Sequence, residues 1–157
     1  MKLNARQDIE ANASDVFRLL TDFSRWEREA MRRSAEVQRQ DRLATPGVGM
    51  AWQVDFTFRG TRRQVKARVV TFDPGACLAL ELTSDNFAGH ARIDLVALSQ
   101  RRTRLHLKSE VTASSLMGRI LLQPLRLAKG RLTGRLQGRL SAFAVSCEDQ
   151  SRSVQGR

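Results

Sequence analysis

The sequence has no tyrosine, two histidines (His90 and His106) and two cysteines (Cys77 and Cys147) in 157 residues. Each shortage removes a class of chemistry. With no Cys-x-x-Cys pair and no cluster of His, Cys and carboxylates at ligand spacing, neither a metal nor a redox cofactor is expected. Two isolated thiols are those of a reduced protein, so the expected location is the cytoplasm. No apolar run approaches the ~20 residues needed to span a bilayer. The opening stretch MKLNARQDIEANAS also lacks the apolar segment of a secretory leader. Acidic residues are scarce against basic ones, 16 to 27, leaving a net charge of +11. Such a field favours anionic partners, and it also serves plain solubility. Lysine is rare within that basic set: Lys2, Lys66, Lys108 and Lys129 are the only ones, the rest being arginine.

What remains is a well-patterned chain. Residues 2–10 alternate as a strand, and Ser14 is placed to cap a short helix carrying Val16, Phe17, Leu19 and Leu20. Asp22 or Ser24 can cap a second helix running through Met31, with Phe23, Trp26 and Ala30 inward. From residue 36 the period changes to two. A weak strand at 36–43 precedes five clearer ones, separated by Arg59-Gly60, Asp73-Pro74-Gly75, Ser84-Asp85-Asn86 and Gln100-Arg101-Arg102. Short turns between alternating segments make an antiparallel meander. Centring one hairpin on Asp85-Asn86 sets Glu81 beside His90. Centring the next on Gln100 sets His90 beside Glu110 and Asp94 beside His106, which keeps apolar residues opposite apolar ones. A last helix is expected from about Ser115 to Phe143, with Leu121, Leu125, Ala128, Leu132, Leu136 and Phe143 as its inner stripe and a kink or a lead-in turn at Pro124. The organisation expected is one domain over residues 1–147, then a polar tail, 148–157, expected to be disordered.

The segments IEANASDVFRLLTDFSRWE at 9–27 and PGVGMAW at 46–52 carry a resemblance. Together with the order strand, two short helices, six-stranded meander and C-terminal helix, they resemble the START-like, or SRPBCC, superfamily of polyketide cyclase/dehydrase and lipid-transport proteins. Asn12 stands where that family usually has proline. The resemblance implies an α+β helix-grip fold, a curved antiparallel sheet of about seven strands wrapped around a long C-terminal helix. It also implies an apolar cavity between the two. Members range from carriers to cyclases, so the fold alone does not select an activity.

Both histidines and Cys77 fall out of phase with the apolar residues of their strands, and no nucleophile–base pair can be assembled. No catalytic residue is therefore nominated. The inward phase holds Trp52, Val54, Phe56, Val65, Leu80, Leu82, Phe87, Ile93 and Leu107, with the smaller Ala67, Ala91 and Ser109 among them. Facing these are Leu125, Leu132 and Leu136 of the last helix. Such a surface either fills as a core or, where the small residues lie, leaves room for a ligand. Between Glu110 and Glu148 there is no acid, whereas Arg119, Arg126, Lys129, Arg131, Arg135 and Arg139 lie within that span. Gly-Arg-Leu repeats every four residues at 130–140, and a four-residue step rotates the stripe by about 40° per repeat. The arginines drift towards the inner face, which nominates Arg135 and Arg139 as contacts for an anionic group. The exposed Gly130, Gly134 and Gly138 are compatible with close approach by a second protomer, so either a monomer or a homodimer is expected.

The expectation is binding or transport of a small hydrophobic or amphipathic ligand in an internal cavity, with an anionic, lipid-like one among the candidates. The alternatives are a cyclase/dehydrase-type enzyme that shapes a polyketide-like substrate, or a basic module binding RNA, ribosome or anionic membrane through the C-terminal helix.

Overall fold

The computed structural model describes residues 1–156. In chain order it contains β1 (Lys2–Ile9), α1 (Ala13–Leu20), α2 (Phe23–Arg32), β2 (Glu36–Arg39), β3 (Ala51–Phe58), β4 (Thr61–Asp73), β5 (Cys77–Thr83), β6 (Phe87–Ser99), β7 (Arg102–Ala113), α3 (Leu116–Leu127) and α4 (Lys129–Gln155). The strands form one antiparallel sheet of order β1-β7-β6-β5-β4-β3-β2. Strands β2 to β7 are therefore a meander, and β1 closes onto the free edge of β7. This is the α+β helix-grip arrangement.

Turn chemistry sets the register. Arg59 and Gly60 both have positive φ, 52° and 74°, as a two-residue hairpin matching the twist of its strands requires. The hairpin registers are those expected: Glu81 lies opposite His90, His90 opposite Glu110, and Asp94 opposite His106. Bulges between Val69 and Thr71 and between Ala97 and Ser99 bend the two longest strands.

The helices depart from expectation in four respects. Asn12, not Ser14, caps α1, accepting the Asp15 N–H at 2.8 Å. Asp22 does cap α2, accepting from Arg25 at 3.3 Å. Trp26 is not fully inward; it is 39% exposed, donates Nε1–H to the Leu20 carbonyl at 2.9 Å and leans on Phe143. The C-terminal element is not one helix from Ser115 to Phe143 but two, meeting at Ala128. The break resets the phase, so the deepest positions are Leu122, Leu140, Phe143, Ala144 and Cys147 rather than the expected stripe, of which only Phe143 is fully buried. Finally, the tail is helical through Gln155: Glu148 accepts the Glu10 N–H at 3.1 Å, and Ser151 is buried near Asp15. Arg157, the last residue of the expected disordered tail, lies outside the described residues.

The core sits at one end of the concave face. Ile9, Val16, Phe17, Leu20, Phe23, Trp52, Val69, Leu78, Leu95 and Leu105 pack there beneath α1, α2 and the second half of α4. The helix α4 runs over β1, where Gln137 Nε2 donates to the Arg6 carbonyl at 2.9 Å and Ser141 Oγ to Gln7 Oε1 at 3.2 Å.

Candidate functional site

Directly opposed residues share a face of the sheet, so the ladders define rows across the concave surface. One row is Ala5, Leu107, Ile93, Leu78 and Phe72, and it lies against the core. The next is Leu3, Ser109, Ala91, Leu80 and Val69; the next, Val111, Gly89, Leu82, Ala67 and Trp52. These two rows are rich in small residues at their centre. Beyond them come Val65 with Val54, then Arg63 with Phe56.

Burial changes along this series. Trp52 is buried, its ring tilted against Phe23 at 5.0 Å between centroids, with its Nε1–H donated to Glu27 at 2.8 Å. The remaining inward residues nominated from the sequence (Val54, Phe56, Val65, Ala67, Leu80, Leu82, Phe87, Ala91, Ile93, Leu107 and Ser109) are all half-buried, as are Leu125, Leu132 and Leu136 on the helices. A closed core would bury them. The half of the concave face away from α1 is thus an apolar surface only half covered by the helices, a shallow trough in outline. Arg135 and Arg139 stand exposed on α4.

The polar groups of the trough are mostly committed. Ser109 Oγ donates to the Leu3 carbonyl at 3.0 Å, and Glu27 accepts from Trp52. Arg63 is different. On the inward phase of β4, its Nε is buried and has no hydrogen-bond partner among the described residues, and its guanidinium carbon lies 6.0 Å from the Phe58 ring centre. A buried, unsatisfied donor of a permanently charged group is costly unless something else accepts its hydrogen bond.

A family model described as "Polyketide cyclase / dehydrase and lipid transport" matches residues 1–148. The chain belongs to this family. The structures it resembles include the Zhui aromatase/cyclase of Streptomyces sp. R1128, with a TM-score of 0.66, 14% identity, and coverage of 94% of this chain and 93% of that one. A truncated norcoclaurine synthase from Thalictrum flavum gives 0.65 at 11% identity, covering 96% and 92%. A START superfamily protein from Mycobacterium smegmatis gives 0.61 at 15%, covering 90% and 98%. At such identities these likenesses establish the fold alone. No curated protein matches the chain in sequence.

In this member of the polyketide cyclase/dehydrase and lipid transport family, the histidines and cysteines lie off the rows just described. The histidines lie on the outer ladder beside Glu81, Glu110 and Asp94. Both thiols are buried; burial raises that of Cys77 and pushes Cys147 up to about 12. Among the described residues no three His, Cys, Asp or Glu side chains gather as a metal cluster, and no helix is long and apolar enough to cross a membrane. Arg63 was missed in the sequence because Thr61-Arg62-Arg63-Gln64 is polar throughout. Extending the alternation backwards from Val65 would have found it.

Proposed function

We propose that the protein binds a small amphipathic ligand with an anionic group, lipid-like in character, in the half-open trough. The observation carrying this reading is Arg63, a guanidinium donor buried and unpartnered beside otherwise apolar rows. A carboxylate or phosphate there would satisfy Nε, and a hydrocarbon tail would cover Val65, Leu82, Ala91 and Val54. Arg135 and Arg139, exposed on α4, add to the positive field at the surface and make weaker contributions. The carrier reading is preferred to a cyclase-type enzyme because Ser109 and Glu27, which a reaction would need free, are engaged in structural hydrogen bonds.

Titration of a fluorescent fatty acid tests this. Arg63→Gln should weaken binding by roughly tenfold or more, the worth of a charge-assisted hydrogen bond. Ala91→Leu, which fills the centre of the trough, should abolish binding and leave the fold intact. Unchanged affinity in both variants would refute the assignment. Native mass spectrometry of protein from its own host would identify the ligand class directly.

A further inference from the structure

The helix α3 is apolar on the wrong side. Its inward residues, Gly118 and Leu122, are buried against the β5–β6 hairpin and the sheet. On the opposite side Leu116 is 74% exposed, Met117 55%, Ile120 55% and Leu127 91%. At about 100° per residue, Leu116, Ile120 and Leu127 fall within about 40° of one another, with Met117 about 60° further round. A helix with apolar residues on two opposite faces normally has both covered; here only one is.

The flank of that stripe is basic. Arg119 and Arg126 lie within about 20° of each other, some 60–80° from Leu116. Both line a concavity of about 450 Å³ between α3 and the strand ends, with Met1, Thr112, Ala113 and Gln123. Its size suits a lipid headgroup, and two guanidiniums suit a phosphate. The whole span from Val111 to Cys147 contains no acid to oppose them.

We propose that α3 is a docking surface for an anionic lipid bilayer. Leu116, Met117, Ile120 and Leu127 enter the acyl boundary, while Arg119 and Arg126 hold headgroup phosphates at its edge. Charge decides against the other occupants. A second copy meeting α3 against α3 would oppose arginines with no acid between them. A nucleic acid would use the arginines but gain nothing from four aliphatic side chains, and no aromatic ring is present on α3 for base stacking. The surface lies outside the trough, so docking requires no ligand there and stands or falls apart from the proposed ligand binding.

The test uses the full chain and fatty-acid-free vesicles, one set of phosphatidylcholine and one of phosphatidylcholine with phosphatidylglycerol. Co-sedimentation should show binding to the anionic vesicles, weakened by salt but not abolished. The triple variant Leu116→Ser, Ile120→Ser, Leu127→Ser should reduce partitioning on the order of a hundredfold. Arg119→Gln with Arg126→Gln should reduce the preference for phosphatidylglycerol roughly tenfold or more. All five side chains are exposed, so circular dichroism should report an unchanged fold. Because Cys77 and Cys147 are buried, Met117→Cys can be labelled selectively with a polarity-sensitive dye, whose emission should shift to the blue on anionic vesicles. Failure to bind either vesicle set, or binding that ignores the serine substitutions, would overturn the proposal. So would a solution dimer dissolved by those same substitutions, which would make a second copy the occupant.

Discussion

Two glycines in the C-terminal helices should respond in opposite directions to the same substitution. Gly134 lies on the outer face of α4, and a Cβ built there meets nothing within 4 Å. Gly134→Ala should therefore gain the helix-propensity difference, roughly 0.5–1 kcal/mol. Gly118 lies in the first turn of α3, where Ser115 Oγ accepts its N–H at 3.0 Å and itself donates to Asn86 Oδ1 at 2.8 Å. A Cβ at Gly118 would penetrate the Asn86 carbonyl oxygen and press on Asn86 C at 3.2 Å and Ala113 Cβ at 3.3 Å. Backbone cannot rotate away as a flexible side chain can, so α3 must lift from the hairpin. Overpacking of this kind costs about 1–3 kcal/mol, which exceeds the propensity gain of up to about 1 kcal/mol. At about 2–4 °C per kcal/mol for a chain of this size, Gly118→Ala should lower the melting temperature by several degrees. Gly134→Ala should raise it by about 1–4 °C. Thermal melts by circular dichroism measure both, and hydrogen exchange should locate the Gly118→Ala loss in α3. A Gly118→Ala protein as stable as wild type would refute the docking geometry. Loss of stability in Gly134→Ala would mean that a second copy packs on the glycine face.

Acid should act through Asp41. Its carboxylate accepts from Arg39 Nε and Nη2 at 2.8 and 2.6 Å and from the Leu43 and Ala51 N–H groups at 2.9 Å each, which organises the loop before β3. The Arg39 hydrogen bonds, then that from Ala51, hold its pKa far below the ordinary 3.8. A depressed carboxylate stabilises fully above its unfolded value and loses that contribution as pH falls through the folded one. The stability gap between wild type and Asp41→Asn should thus narrow as pH drops below about 4, and a pH-independent gap would refute this account. In Trp26→Phe, the remaining Trp52 should emit to the blue of free tryptophan, being buried against Phe23; a solvent-like spectrum would count against its inward placement.

The sheet was legible because strand alternation and turn chemistry are local signals that reinforce each other. Once Asp85-Asn86 is the centre of a hairpin, geometry leaves one partner for His90 on each side. Caps were half legible: Asp22, one of the two residues expected to cap the second helix, does so, whereas the first helix is capped by Asn12 rather than the expected Ser14, directly after the buried Ala11. The break at Ala128 was not legible. Leucine recurs through Leu121, Leu125, Leu132 and Leu136 without interruption, and a residue pattern cannot distinguish one helix from two that share it. For the same reason apolarity alone misassigned α3, since a leucine enclosed at 122 and one exposed at 127 are the same letter.

Both proposed surfaces follow from one geometric fact. The second half of α4 lies over the core with Leu140, Phe143, Ala144 and Cys147 buried, while its first half carries Leu132 and Leu136 only half-buried. That first half meets the sheet along β1, where Gln137 reaches Arg6 and Gln7. What lies before α4 is held by few contacts: α3 is pinned at its start through Ser114, Ser115 and Gly118 on Asn86, and its outward apolar face is left exposed by the described residues. The outer face of α3 is exposed as it stands, so docking needs no rearrangement, and a coupling to the trough would arise only where a ligand that shifts α4 also moves α3, which joins it at Ala128. In that case a ligand and a bilayer that act on adjoining ends of the same broken helix would be thermodynamically linked. The linkage is reciprocal: if membrane docking lowers ligand affinity by some factor, ligand must lower membrane affinity by the same factor.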